Sequence, residues 1–300
     1  MPHTNSDLIQ KIKNQDFRAI AKAVSLVENK EAMHEEFLAQ LENNPKTKII
    51  GVTGPPGAGK STLINALLKH WTTQDKKIAV VSIDPSSPFN FGALLGDRIR
   101  MRDFYLNPNV FIRSLASRGS LGGMSARVLE VCDVLSAAQF DYIIVETVGV
   151  GQSEVEIAGL AHTTIVVLVP EAGDEIQTMK AGLMEIADIF VVNKSDRPQS
   201  DIFIKNLKLL AHEKANTWEI PVVACIASEH EGIDQLTNTI QEHLLHEKDP
   251  LRQALFLAEK LYKLIQEKRM QDVDKHLLLK QIKQEITKEN FSIYHLLKSY

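Results

Sequence analysis

The segment Gly54-Pro55-Pro56-Gly57-Ala58-Gly59-Lys60-Ser61 constrains this chain more than any other. It follows a short apolar run, Ile49–Val52, and opens a helical pattern, Ser61–Trp71. The spacing G-x-x-x-x-G-K-S between a strand and a helix is a phosphate cradle. Glycines let backbone N–H groups curl around an anion, and the helix start turns its positive end toward it. Lys60 is placed to reach β and γ phosphate oxygens. The Ser61 hydroxyl is a ligand for Mg²⁺. Ala58 and Thr62 complete the wrap. A Gly-rich turn with a chance lysine would not need both flanking elements.

The rest of the pattern agrees with such a strand. Further apolar runs rich in Val and Ile fall at Ile78–Ile83, Val110–Ile112, Tyr142–Val145, Thr164–Val169, Ile189–Val192 and Val222–Ile226. Helical patterns lie between most of them, including 126–138, 202–215 and 232–245. Strands alternating with helices predict an α/β fold with a doubly wound, mostly parallel sheet. Ligands in such sheets bind at the carboxyl ends of the strands. The spacing predicts helix over residues 1–45, with Leu8, Ile12, Ala19, Ala23, Leu26 and Val27 on one face. Residues 46–249 form the expected nucleotide-binding domain. Residues 250–300 turn helical again, with Leu251, Leu255, Ala258, Leu261 and Ile265 in one stripe.

Two strand ends address a base and a metal. Asn193-Lys194-Ser195-Asp196 has the form N-K-x-D. A carboxylate at Asp196 can accept from both N1–H and the 2-amino group of guanine, a donor pair adenine lacks. Ala227, after the last strand, offers a backbone N–H for guanine O6, although Ile226 stands where serine is usual. Asp84 and Glu146 close two strands, and acidic strand ends suit a hydrated Mg²⁺. A lone strand-end carboxylate is often only solvated. Gly149, in Glu146-Thr147-Val148-Gly149, is placed to sense the γ-phosphate. Val150 follows it, where small GTPases of the Ras kind carry a water-orienting Gln. Slow intrinsic turnover is expected, raised when a partner orders the switches.

Composition narrows the function classes. A net charge of −4 argues against an obligatory nucleic-acid partner, which needs a concentrated basic face. Cys132 and Cys225 form no closely spaced pair and read as buried thiols in a reducing compartment. No apolar run approaches a membrane span, and residues 1–16 lack a signal core. A cytoplasmic protein is expected.

Several stretches together resemble the MeaB/ArgK family, G-protein chaperones of cobalamin-dependent methylmalonyl-CoA mutase. They are GVTGPPGAGKSTLINAL, VVSIDPSSPFNFGALLGDRIRM, FIRSLASRGSLGGM, DYIIVETVGVGQSE and VPEAGDEIQTMKAGLMEIADIFVVNKSD. The resemblance spans most of the chain and implies the SIMIBI class of P-loop NTPases. It also implies a homodimer, with the C-terminal helices as a dimerisation arm. It matches Asp84 and Glu146 to the Mg²⁺-linked acids. It places Asp97 and Arg100 in the first switch, beside Lys60 and Glu146 in catalysis. It makes Asp174, Glu175, Gln177 and Lys180 part of a loop that communicates with the mutase. Two segments depart from the family pattern: Pro88-Phe89-Asn90-Phe91-Gly92, and Ser292-Ile293-Tyr294. Two other readings stay open on the same fold. A metallochaperone GTPase for nickel or zinc enzymes would use Cys/His clusters, whereas the ten histidines here are scattered. A transport-associated ATPase or kinase, a label carried by ArgK relatives, is opposed by Asn193 and Asp196.

Overall fold

The computed structural model describes residues 5–31, 33–84, 101–116, 126–147, 153–172, 183–213, 218–246, 250–270, 272–287, 291–298 and 300. Every apolar run singled out above is a strand: β1 (Lys48–Thr53), β2 (Ile78–Asp84), β3 (Val110–Ala116), β4 (Tyr142–Glu146), β5 (Thr163–Leu168), β6 (Ile189–Asn193) and β7 (Val222–Cys225). They form one seven-stranded sheet in the order β3-β2-β4-β1-β5-β6-β7. All neighbouring strands run parallel. β4, β5 and β6 are buried along their whole length. That explains runs without polar alternation: a parallel sheet is covered on both faces.

Period-two alternation divides the strand residues between two cores. On one face Ile50, Val52, Val80, Ile144 and Val167 pack with Leu63, Leu67 and Trp71 of α4 (Lys60–Thr72). Leu236 and Ile240 of α9 (Ile233–Leu245) join them. Trp71 stacks on Tyr142 with ring centroids 4.5 Å apart. Leu63 and Leu67 are fully buried, and each such side chain is worth about 1.5–3 kcal/mol. On the other face Val166, Leu168, Phe190 and Val192 meet Ala158 of α6 (Ser153–Leu160) and Phe203, Leu207 and Ala211 of α8 (Ser200–Glu213). Between α6 and α8 lies the short α7 (Leu183–Ile186).

The N-terminal segment is three helices, α1 (Asn5–Lys13), α2 (Phe17–Glu28) and α3 (His34–Ala39). The Asp16 side chain caps α2, accepting from Arg18 N at 2.8 Å and Ala19 N at 3.1 Å. α2 packs on α5 (Ala126–Ala137). Phe17 sits edge-on to Phe111 of β3, centroids 5.7 Å apart. Arg113, also on β3, pairs with Glu28 of α2 at 2.5 Å. These helices therefore share one compact unit with the sheet, Met1–Gln253.

Ala254–Tyr300 is a second compact unit. It holds most of α10 (Pro250–Arg269), together with α11 (Lys275–Glu285) and α12 (Ile293–Leu297). Within it Leu257, Leu261, Ile265 and Leu277 are exposed. Among the described residues no helix is long and apolar enough to cross a membrane.

Candidate nucleotide site

The predicted motifs converge on the carboxyl edge of the sheet, beside the central strand β1. The chain leaves β1 through Gly54, whose φ is +138°. A Cβ here would lie 2.1 Å from the Val167 carbonyl oxygen of neighbouring β5. Only glycine lets the loop start this close to that strand. Gly59 ends the loop at φ +86° and serves as N-cap of α4. A Cβ there would lie 2.3 Å from Asn193 Nδ2. The first-turn amides of α4 have no acceptor within the helix and point along its axis at the loop.

Lys60 is buried, with 8% of its surface exposed. Its ammonium donates to Gly54 O at 2.7 Å and Pro55 O at 3.1 Å. Charge-assisted bonds to carbonyls offset the cost of burying the cation. They also hold Nζ inside the loop that the motif predicts will wrap phosphate.

Beside it, Ser61 Oγ donates to Glu146 Oε1 at 2.7 Å. Ser82 Oγ of β2 donates to Glu146 Oε2 at 3.3 Å. Thr147 donates to Thr53 Oγ1 at 2.8 Å, fastening the end of β4 to the end of β1. The structure thus joins Ser61 to Glu146 across 85 residues of sequence. Asp84 ends β2, one strand over from β4.

The base motif is tied to the phosphate loop directly. Asn193 Nδ2 donates to Ala58 O at 2.9 Å, while its Oδ1 accepts from Ala227 N at 3.1 Å. Lys194 Nζ donates to Gly57 O at 2.8 Å. Ser195 N donates to Cys225 O at 3.1 Å, fixing the loop to β7. Asp196 follows on the exposed side. One buried amide therefore bridges three elements that sequence spacing alone treats as separate. Replacing Asn193 by Ala is expected to leave the Ala58 carbonyl and the Ala227 N–H buried without this partner. The cost is about 1–3 kcal/mol, read from urea unfolding of the nucleotide-free protein. A change below about 0.5 kcal/mol, the level of an ordinary surface substitution, would show that the bridge holds nothing together.

Other participants were not apparent from the sequence. Ser82 lies two residues before Asp84, but no motif marks it. Arg197, next to Asp196, is ion-paired with Glu171 in the turn after β5. That guanidinium, hydrogen-bonded to Glu171, holds its carboxyl below the usual carboxylate range. Both side chains are well exposed, so the pair is screened by solvent. At the end of β7, burial pushes the Cys225 thiol up to about 12, which keeps it neutral and inert. Asp97, Arg100, Gly149, Val150, Asp174, Glu175, Gln177 and Lys180 lie outside the described residues, as do residues 88–92 and the side chain of Asp84.

Comparison with known proteins decides what kind of nucleotide site this is. A family described as methylmalonyl-CoA mutase-associated GTPase MeaB matches residues 20–285. The chain is a MeaB-family GTPase. A protein of Pyrococcus horikoshii named as a putative GTPase is 45% identical over 260 residues, covering 85% of this chain and 81% of the relative. GTPase ArgK of Escherichia coli is 36% identical over 252 residues, covering 79% and 75%. The crystal structure of a LAO/AO transport system kinase matches 100% of this chain and 97% of its own, at 26% identity and a TM-score of 0.71. Guanine nucleotide binding and GTP hydrolysis follow from membership of the family, and the parallel sheet around a phosphate loop agrees with that solved fold.

Proposed function

We propose that this GTPase is a nucleotide-driven chaperone for a cobalamin-dependent acyl-CoA mutase of the methylmalonyl-CoA type, gating the loading or protection of its cofactor. The observation that carries the reading is the Asn193 bridge, which couples base loop and phosphate loop in a chain whose family is associated with methylmalonyl-CoA mutase. A site so linked can convert nucleotide state into loop position.

The roles follow from the residues. Asp196 reads the guanine edge; the Ala227 N–H, which donates to Asn193 Oδ1 at 3.1 Å, has to turn from that bond to meet O6. Amides of Gly54 and of residues 57–62, with the Lys60 ammonium, hold the phosphates; Pro55 and Pro56 have no N–H to give. The donor set beside them fits Mg²⁺: a serine hydroxyl and a carboxylate, both hard oxygen ligands, paired 2.7 Å apart at the phosphate loop. Ser61 would bind the ion directly, with Glu146 and Asp84 holding its waters. Bound there, the ion supplies charge neutralisation at the β and γ oxygens. Lys60 adds a second positive charge to the same oxygens, which a loose phosphoryl-transfer transition state needs. Asp97 and Arg100 act as the first switch, and Gly149 as the γ-phosphate sensor. Asp174, Glu175, Gln177 and Lys180 form the loop that signals to the mutase. Exposed Leu257, Leu261 and Ile265, spaced on one helix, suit a homodimer arm. Cys132 and Cys225, buried thiols that are not joined in a disulfide, suit a cytoplasmic setting.

The test is enzymatic. The chain is mixed with a purified cobalamin-dependent methylmalonyl-CoA mutase, with GDP and with a non-hydrolysable GTP analogue. Nucleotide-dependent complex formation and faster GTP hydrolysis are expected. Lys180→Ala should keep basal hydrolysis near wild type and lose the response to the mutase. Full stimulation in that variant would remove the loop from the coupling path. Binding to a nickel enzyme in place of the mutase would overturn the partner.

A further inference from the structure

Five of the seven residues of β2, Ile78, Ala79, Val80, Val81 and Ile83, are buried and apolar. Ser82 breaks that run while only 2% exposed. A hydroxyl placed so deeply costs stability unless it is bonded. It sits on the face of β2 that carries Ile78 and Val80 against α4, where an aliphatic side chain would extend the core. Its partner in register on β4 is Glu146. Its hydroxyl donates to Glu146 Oε2 at 3.3 Å, while Ser61 donates to Oε1 at 2.7 Å. A glutamate has three side-chain rotors. One hydroxyl on each oxygen restrains the carboxylate at both of its ends.

We propose that Ser82 is a positioning residue for GTP hydrolysis, holding the Glu146 carboxylate so that Oε1 stays aimed at Ser61 and the adjoining Mg²⁺. This rests on the reading of Glu146 as an acid linked to that ion. Ser82 touches neither nucleotide nor metal; it acts through Glu146. Loss of its hydroxyl removes one restraint on Oε2 and so loosens the carboxylate that faces the ion. Removing partners of this kind costs about tenfold or more in metal affinity.

The experiment follows release of a fluorescent GDP from the full chain as Mg²⁺ is titrated, and again in EDTA. Single-turnover hydrolysis is measured beside it. Ser82→Ala is expected to raise the Mg²⁺ concentration for half-maximal slowing of release about tenfold. Release in EDTA should match wild type, because the base and phosphate contacts are untouched. Ser82→Thr, which keeps a hydroxyl, should remain within about threefold of wild type, allowing for the added methyl. Ser82→Cys keeps the shape with a weak donor and should behave like Ser82→Ala; it carries the test if the alanine variant does not fold. Glu146→Gln separates the two layers of the reading. If Glu146→Gln shifts the Mg²⁺ curve and the Ala and Cys variants do not, Ser82 is only structural. If the Thr variant is as impaired as Ala, the space matters and the hydroxyl does not. If Glu146→Gln also leaves the curve unchanged, the assignment of Glu146 fails and takes Ser82 with it.

Discussion

Lys60→Ala is expected to lower the rate of GTP hydrolysis by about 10²–10³-fold. Phosphoryl transfer asks little covalent chemistry of a protein; the rate depends on positioning and on charge placed against the transferring group. Lys60 Nζ is already inside the loop, 2.7 Å from Gly54 O and shielded from solvent. Low local dielectric makes a fixed charge there worth more than one in water. Alanine at 60 removes that charge and frees two loop carbonyls, so GDP binding should weaken as well. Single-turnover hydrolysis at saturating GTP separates the two effects, and thermal unfolding checks that the loop change has not spread. Hydrolysis within a few-fold of wild type would mean that the chemistry lies elsewhere.

Asp196→Asn should exchange guanine selectivity for xanthine. In the wild type the carboxylate is expected to accept from the guanine N1–H and 2-amino groups. A site built to bond such groups rejects a base lacking them by about 10⁴-fold, so ADP should bind that much more weakly than GDP. An Asn amide can donate to the carbonyl that xanthine carries at position 2, so XDP binding should rise as GDP binding falls. Titrations of GDP, ADP and XDP against both proteins give the comparison. Equal ADP and GDP affinity in the wild type would remove Asp196 from base recognition. Asp196 is exposed while Asn193 is buried. The substitution should therefore change specificity with little effect on stability, whereas Asn193→Ala should do the reverse.

These variants sample both what could be read along the chain and what could not. The seven strands were legible because a parallel sheet is buried on both faces, which demands short, uninterrupted runs of Val and Ile. The phosphate loop was legible because its constraints are local. Gly54 and Gly59 take φ values of +138° and +86°, which L side chains rarely adopt, and Lys60 and Ser61 must open the helix. Family membership was legible in long, ordered stretches such as ETVGVGQSE.

Local spacing could not reveal contacts between distant segments. Asn193 reads as part of a base motif, but its amide spans Ala58 and Ala227, which are 135 and 34 residues away. Glu171 and Arg197 are paired because β5 and β6 are neighbours and their loops leave the same edge. Residues 1–45 read as a helical extension; packing puts α1–α3 in the same unit as the sheet, through Phe17 and the Glu28–Arg113 pair. Ser82 is one serine in an apolar strand, and nothing nearby in sequence explains it. The amino acids themselves determined which segments become strands and where the glycine-rich loop opens its helix, because backbone conformation and side-chain chemistry act over a few residues. Which carboxylate faces Ser61, and which hydroxyl steadies that carboxylate, was decided only when β2, β4 and α4 came together, because strand order and register set those distances.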